Sequence, residues 1–354
     1  MNRGAMGSSV PTGPVTRLRM EVEVWRGSIA ESRHRIQAVV TDAAGTLLAS
    51  TELPGLVTSF RSAAKPFQLL PLIERGADQR LGLTEEHLAI MAASHTGSAR
   101  HVELVRDLLG RLGLGVNALA CGTHDPLDPA SLKYVQSHPE ERTALYNNCS
   151  GKHAGMLAQC LAEGWPVEGY ERPDHPLQQR VRETVAALCG VAAETLLVGI
   201  DGCNVPVFGA PLHAMARSYA RFAAASAAGD ARDVALERIR RAMMRYPAIT
   251  GGAERFSTHL MDAAGGTLVS KGGAEGLECI GVPSRGLGIV VKCEDGRTRG
   301  VAPAVVALLQ HLELLSGEQA AALEPWARPA VRNAVDKVVG EMRVRFDALA
   351  SVVS

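Results

Sequence analysis

The patterned part of the chain opens on alternation. Met20 to Arg26 reads M-E-V-E-V-W-R, apolar and polar positions changing places residue by residue, as in a strand with one buried face. A second alternating run spans Arg33 to Thr41 and a third Thr46 to Thr51, and the Asp42-Ala43-Ala44-Gly45 stretch between them predicts a hairpin turn. From Ser62 onward the period lengthens to that of a helix. The spacing predicts a helix from Ala63 to Glu74, where Pro66 fits the first turn and Pro71 is expected to kink or end it. Thr84 is the expected N-cap of a helix running to Ala93. Further helices are expected over Ser98–Leu112 (closed by Gly113), Gly151–Glu163, His175–Leu188, Pro211–Ala225 and Arg232–Arg245, joined by Gly- and Pro-rich loops. After Gly265 the strand pattern returns over Thr267–Lys271, Leu277–Val282 and Leu287–Lys292. A turn at Glu294-Asp295-Gly296, a helix over Val301–Leu315 and an edge strand over Val338–Phe346 complete the pattern.

Strands at both ends of a long helical middle predict a single catalytic domain over residues 19–354, of α/β class and α+β type. Its antiparallel sheet would come from about 20–51 and 266–346, with a large helical lobe from about 61–260. Residues 1–18 hold Gly, Ser, Pro and Thr without an apolar run, and are expected to be a disordered tail rather than a secretion signal. Apolar residues make up 46% of the chain, enough for a substantial core. The 37 basic and 37 acidic residues cancel and form no basic run, which speaks against a nucleic-acid or anionic-membrane partner. No apolar stretch is long enough to span a bilayer. Seven cysteines at irregular spacing, with no C-x-x-C pair, fit a reducing cytoplasm where thiols are core filler, metal ligands or catalysts.

The chemistry gathers at Ser62-Ala63-Ala64-Lys65. Serine and lysine three apart share a helix face, so the amine can reach the hydroxyl and take its proton. A lysine does this near neutral pH only after its pKa falls by about 3 units, which burial beside a second cation can bring about. Two further stretches supply partners: Ser94-His95-Thr96-Gly97 at a helix-to-loop break, and Lys271-Gly272-Gly273 at the end of a returning strand. A fourth, Asn147-Asn148-Cys149-Ser150-Gly151-Lys152-His153, enters a helix with Cys149, Lys152 and His153 one turn apart. With Cys203 from the Asp201-Gly202-Cys203 loop, these side chains could hold zinc, be buried thiols, or form a Cys149–His153 nucleophilic pair.

Taken together, Arg61-Ser62-x-x-Lys65, Ser94-His95-Thr-Gly97, Asn147 through Met156, Asp201-Gly-Cys203 and Lys271-Gly-Gly-Ala-Glu275-Gly276 resemble the rhizobial-type, or class 3, L-asparaginases over about Glu21 to Phe346. The resemblance implies a fold similar to serine β-lactamases and glutaminases, a homodimer, and hydrolysis of L-asparagine to L-aspartate and ammonia. It implies two Ser–Lys tandems, Ser62–Lys65 and Ser94–Lys271, and zinc (Zn2+) held by Cys149, Lys152 and Cys203 in place of His153. Arg61, His95, Asp201 and Glu275 are expected around the substrate. A glutaminase or another amidohydrolase on the same scaffold, a penicillin-recognising enzyme, and a non-catalytic zinc-binding relative are the alternatives. The absence of Ser-x-Asn and Lys-Thr-Gly stretches argues against the penicillin-recognising one.

Overall fold

A computed structural model describes residues 15–349 of the chain. Its main sheet has eight strands in the order β10-β11-β1-β3-β2-β9-β8-β7. The N-terminal strands are β1 (Thr16–Arg26), β2 (Ile29–Asp42) and β3 (Leu47–Ser50). The C-terminal ones are β7 (Val269–Gly273), β8 (Leu277–Val282), β9 (Leu287–Cys293), β10 (Ala330–Arg332) and β11 (Val338–Leu349). The two ends of the chain meet where β2 pairs with β9 and β1 with β11, both antiparallel. Among the described residues only a two-residue contact, Thr16–Arg17 with Ala49–Ser50, runs parallel. The turn at Asp42–Gly45 forms as the sequence predicts, with Gly45 N–H donating to Asp42 O at 3.0 Å.

Both faces of this sheet are covered, and strand alternation decides what covers each. Val39, Val269, Leu277, Cys279 and Val290 point into the helical lobe and join its core with Phe67, Tyr219 and Phe222. Their neighbours Ile36, Ala38, Val40, Ile280, Ile289 and Val291 point the other way, into a second core with Leu260, Val305, Leu308 and Leu309. The helix Leu212–Ala224 lies on the first face, and Val301–His311 with Phe256–Ala264 on the second.

Several expectations need correction. The first strand begins at Thr16, and Leu18 is buried because it continues the inward series of Met20, Val22 and Val24. The expected tail is therefore strand at its end, and residues 1–14 lie outside the described residues. β11 is not an edge strand: the three-residue β10 flanks it, too short to show alternation. The helix Lys65–Glu74 runs through Pro71, buried along its length from Lys65 to Ile73, so packing outweighs the lost hydrogen bond. Finally, the lobe holds a small sheet of β4 (Val57–Ser59), β6 (Pro206–Pro211) and β5 (Leu197–Ile200), in the order β4-β6-β5. Its strands are too short for periodicity to reveal, and Pro211 ends β6 where the sequence predicts a helix start.

The lobe is drawn tight against the site at Gly151. A Cβ there would lie 2.2 Å from Ile90 O, so only glycine lets the helix Ser150–Glu163 meet the helix Glu85–Met91 at this depth. That contact brings the start of the first helix, with Cys149 and Lys152, to the loop that follows the second.

Candidate active site

Ser94 sits in that loop, its backbone N–H fixed on Thr250 O at 2.9 Å. Its hydroxyl meets two amines: Lys65 Nζ lies 3.0 Å from Ser94 Oγ and Lys271 Nζ 2.8 Å from the same atom. Lys65 comes from the first turn of the helix Lys65–Glu74, and Lys271 from the centre of β7 on the face that looks into the lobe. Both lysines are almost fully buried, at 1% and 3% exposure. Lys65 Nζ also donates to Ala93 O at 2.6 Å and Asn148 O at 3.2 Å, three acceptors for the three hydrogens of an ammonium. Burial, then the neighbouring Lys65, pushes the Lys271 amine down to about 7. Two ammonium groups sharing one hydroxyl in a buried site repel strongly, which favours the neutral form of Lys271.

Ser62 stands one turn ahead of Lys65, in a single 3₁₀ turn over Arg61–Ala64. It is half-buried, and its hydroxyl finds no hydrogen-bond partner among the described residues. The residue before it is strained: Arg61 holds φ at +46°, a left-handed conformation that side chains other than glycine rarely adopt. Arg61 Nε reaches Asp201 Oδ1 at 2.8 Å, which ties the start of the Ser62 turn to the loop carrying Cys203. Burial works to raise the Asp201 pKa, but Lys152 and Arg61 outweigh it and hold the carboxyl below its ordinary value.

On the other side of the amines lie the sulfurs. Lys152 Nζ is 2.8 Å from Cys203 Sγ. The hydrogen bond from Cys203 holds the Cys149 thiol well below its ordinary range despite burial, with Lys65 and Lys152 adding to the effect. The same bond and burial push Cys203 up, so the pair favours sharing one proton between the two sulfurs. Burial opposes the charge on Lys152, yet the two sulfurs outweigh it and raise its pKa. Two buried sulfurs, one already ionised, beside an amine form a donor set suited to zinc, provided Lys152 yields its proton. The alternative of a Cys149–His153 nucleophilic pair does not form: His153 Nδ1 faces the Tyr170 hydroxyl at 2.6 Å.

The remaining expected residues are less close to this centre. His95 is fully buried, accepts the Gly97 N–H at Nδ1 (3.1 Å) and donates from Nε2 to Ser150 Oγ (2.9 Å). Both nitrogens are thus committed inside the protein, and the ring shapes the Ser94 loop rather than facing a substrate. Glu275 lies at the exposed tip of the β7–β8 hairpin, its carboxylate against the Gly296 turn. Glu278, not among the expected site residues, is buried in β8 beside the Lys271 strand. The signal was there: a lone charge in the run Leu277-Glu278-Cys279-Ile280-Gly281-Val282 must find buried partners. A separate grouping of His34, Cys293 and Asp295 is satisfied internally, with Arg299 Nε donating to His34 Nε2 at 2.8 Å.

The family model described as L-asparaginase II matches residues 22–344. No curated protein sequence matches the chain. Among solved structures, one described as Mglu in its glutamate form is similar at 15% identity with a TM-score of 0.45. The match covers 81% of this chain and 63% of that one, so the chain spans less than two thirds of its length. A β-lactamase from Mycobacterium bovis is similar at 13% identity and a TM-score of 0.40, over 82% of this chain and 95% of that one.

Proposed function

Since the chain belongs to the L-asparaginase II family and is an amidohydrolase, we propose that it hydrolyses L-asparagine to L-aspartate and ammonia through a serine acyl-enzyme. The observation that carries this reading is the convergence of Lys65 and Lys271 on Ser94 Oγ, with Ser62 unengaged one turn away. Ser62 attacks the side-chain amide carbon. Its proton enters the Lys65–Ser94–Lys271 chain, whose neutral member is Lys271. The same chain returns a proton to the departing nitrogen through Ser94, so ammonia leaves and a β-aspartyl ester remains on Ser62. Water then hydrolyses the ester, with the amines working in reverse. Arg61, anchored by Asp201, is the charge available to the substrate carboxylate.

Cys149, Lys152 and Cys203 would hold zinc, which supplies a Lewis acid and a fixed positive charge beside the amines. The chain's seven cysteines are all free and buried, which supports a reducing cytoplasmic setting. A homodimer is supported by β5, an edge strand in which Leu197, Val198 and Ile200 are 63%, 44% and 57% exposed with no charge among them. Unprotected apolar edges invite pairing, and a second copy of β5 can pair antiparallel about a two-fold axis.

The test is ammonia release from L-asparagine, with L-glutamine alongside. Wild-type protein is expected to release ammonia from L-asparagine and Ser62→Ala to release none while keeping its melting temperature. Preference for L-glutamine would move the reading to a glutaminase.

A further inference from the structure

β8 contributes one charged side chain to the interior, and its surroundings are specific. Glu278 lies opposite Gly272 in the β7–β8 register, so its side chain is on the sheet face away from Lys271. Its Oε1 accepts hydrogen bonds from Ser257 Oγ and Ser270 Oγ, each at 2.6 Å. Ser257, at the start of the helix Phe256–Ala264, also accepts the Gly272 N–H at 3.2 Å. A Cβ on Gly272 would lie 3.1 Å from Glu278 Oε2, so the missing side chain lets the carboxylate press against the β7 backbone. Burial raises the Glu278 pKa above the ordinary carboxylate value, and two hydroxyl donors on one oxygen and the Lys271 charge beyond the strand limit the rise.

We propose that Glu278 is a positioning residue for Lys271: through Ser270 on β7 and Ser257 at the start of the helix Phe256–Ala264 it ties the strand to that helix, and it sets a buried negative charge behind the strand whose front carries the Lys271 amine. The proposal rests on Lys271 acting as the base in the reading above. Lys65 and Arg255 act on that amine as repelling cations, and Cys149 and Glu278 as attracting charges. Tyr219 and Cys279, on the lobe face of the sheet, feel the Glu278 charge from its far side. Without the carboxylate, the repelling cations and burial act on Lys271 with less to oppose them. The amine then releases its proton at lower pH and holds it less well for return to the leaving group.

Glu278→Gln keeps an oxygen for both serine hydroxyls while removing the charge. In kcat/KM for L-asparagine measured between roughly pH 5 and pH 9, its acid limb is expected to move down by about half a unit or more, with kcat reduced on the alkaline side. Ser257→Ala, which removes one donor to the carboxylate, is expected to move the limb the same way by less, and it carries the test if Glu278→Gln does not fold. Limbs that superimpose on the wild-type limb in the folded variants overturn the proposal. If the wild-type protein hydrolyses no amide, it is the proposed function that has failed. Glu278 is then judged by the 15N resonance of Lys271, assigned with Lys271→Arg: a lower titration midpoint in Glu278→Gln supports the proposal and an unchanged one overturns it.

Discussion

At the scale of single residues the site is a set of charges that water would dissolve and burial makes useful. Lys271 is pushed down to about 7, so the neutral base is the minor form below that pH and the major form above it. The acid limb of the rate profile is therefore expected near pH 7. The same depression has a stability consequence. An unfolded lysine holds its proton to about pH 10.4, so between about 7 and 10 the unfolded chain binds a proton the folded chain lacks, and stability rises with pH. Below about 7 the cost of the buried amine is fully present; above about 10 it is gone. Lys271→Met is accordingly expected to abolish hydrolysis yet stabilise the fold at pH 7 by on the order of 2–4 kcal/mol, less at pH 9.5, as measured by urea unfolding at both. The sulfur cluster makes a separate prediction. Protein purified without chelator is expected to carry about one zinc per chain by elemental analysis, and Cys149→Ser and Cys203→Ser each to lose it.

At the scale of elements, the amines meet because helices and strands from distant parts of the sequence are held to close tolerances. Gly151→Ala places a methyl group at 2.2 Å from Ile90 O and forces the helix Ser150–Glu163 away from the Ser94 loop. Overpacking of this kind is expected to cost about 3 kcal/mol in chemical denaturation and to lower activity, since Asn148 O is an acceptor for Lys65. The strands and long helices were legible because their alternation or 3.6-residue period is strong, as in Leu277–Val282, where the expected and observed bounds agree. β4, β5 and β6 were not, having three to six residues each and no pattern that short runs can show. Among site residues, sequence spacing pointed to Ser62, Lys65, Ser94 and Lys271, and the fold gathers the last three at one hydroxyl. Glu275 stands exposed at its hairpin tip, and a glycine-rich tip reads the same in sequence whether it faces a cleft or solvent. Glu278 was overlooked although its setting in an apolar strand marked it.

At the scale of the whole molecule, one strand pairing and one exposed edge bear on the proposed chemistry. The β2–β9 pairing closes the two ends of the chain into one sheet and so carries Lys271 to a serine that precedes it by 177 residues. The exposed β5 edge leads directly into the Asp201–Cys203 loop, so a second copy seated there would steady one wall of the sulfur cluster. Val198→Lys is expected to turn a dimer into a monomer in analytical ultracentrifugation, with a loss of bound zinc following from the loosened loop.

Ser62, left unengaged while both amines hold Ser94, is the serine proposed to be acylated. Wild-type protein mixed with L-asparagine, quenched in acid within its turnover time and digested, can be read by peptide mass. An aspartyl adduct on the peptide holding Ser62, absent from Ser62→Ala, is the predicted result. An adduct on the Ser94 peptide, or full ammonia release by Ser62→Ala, would contradict it.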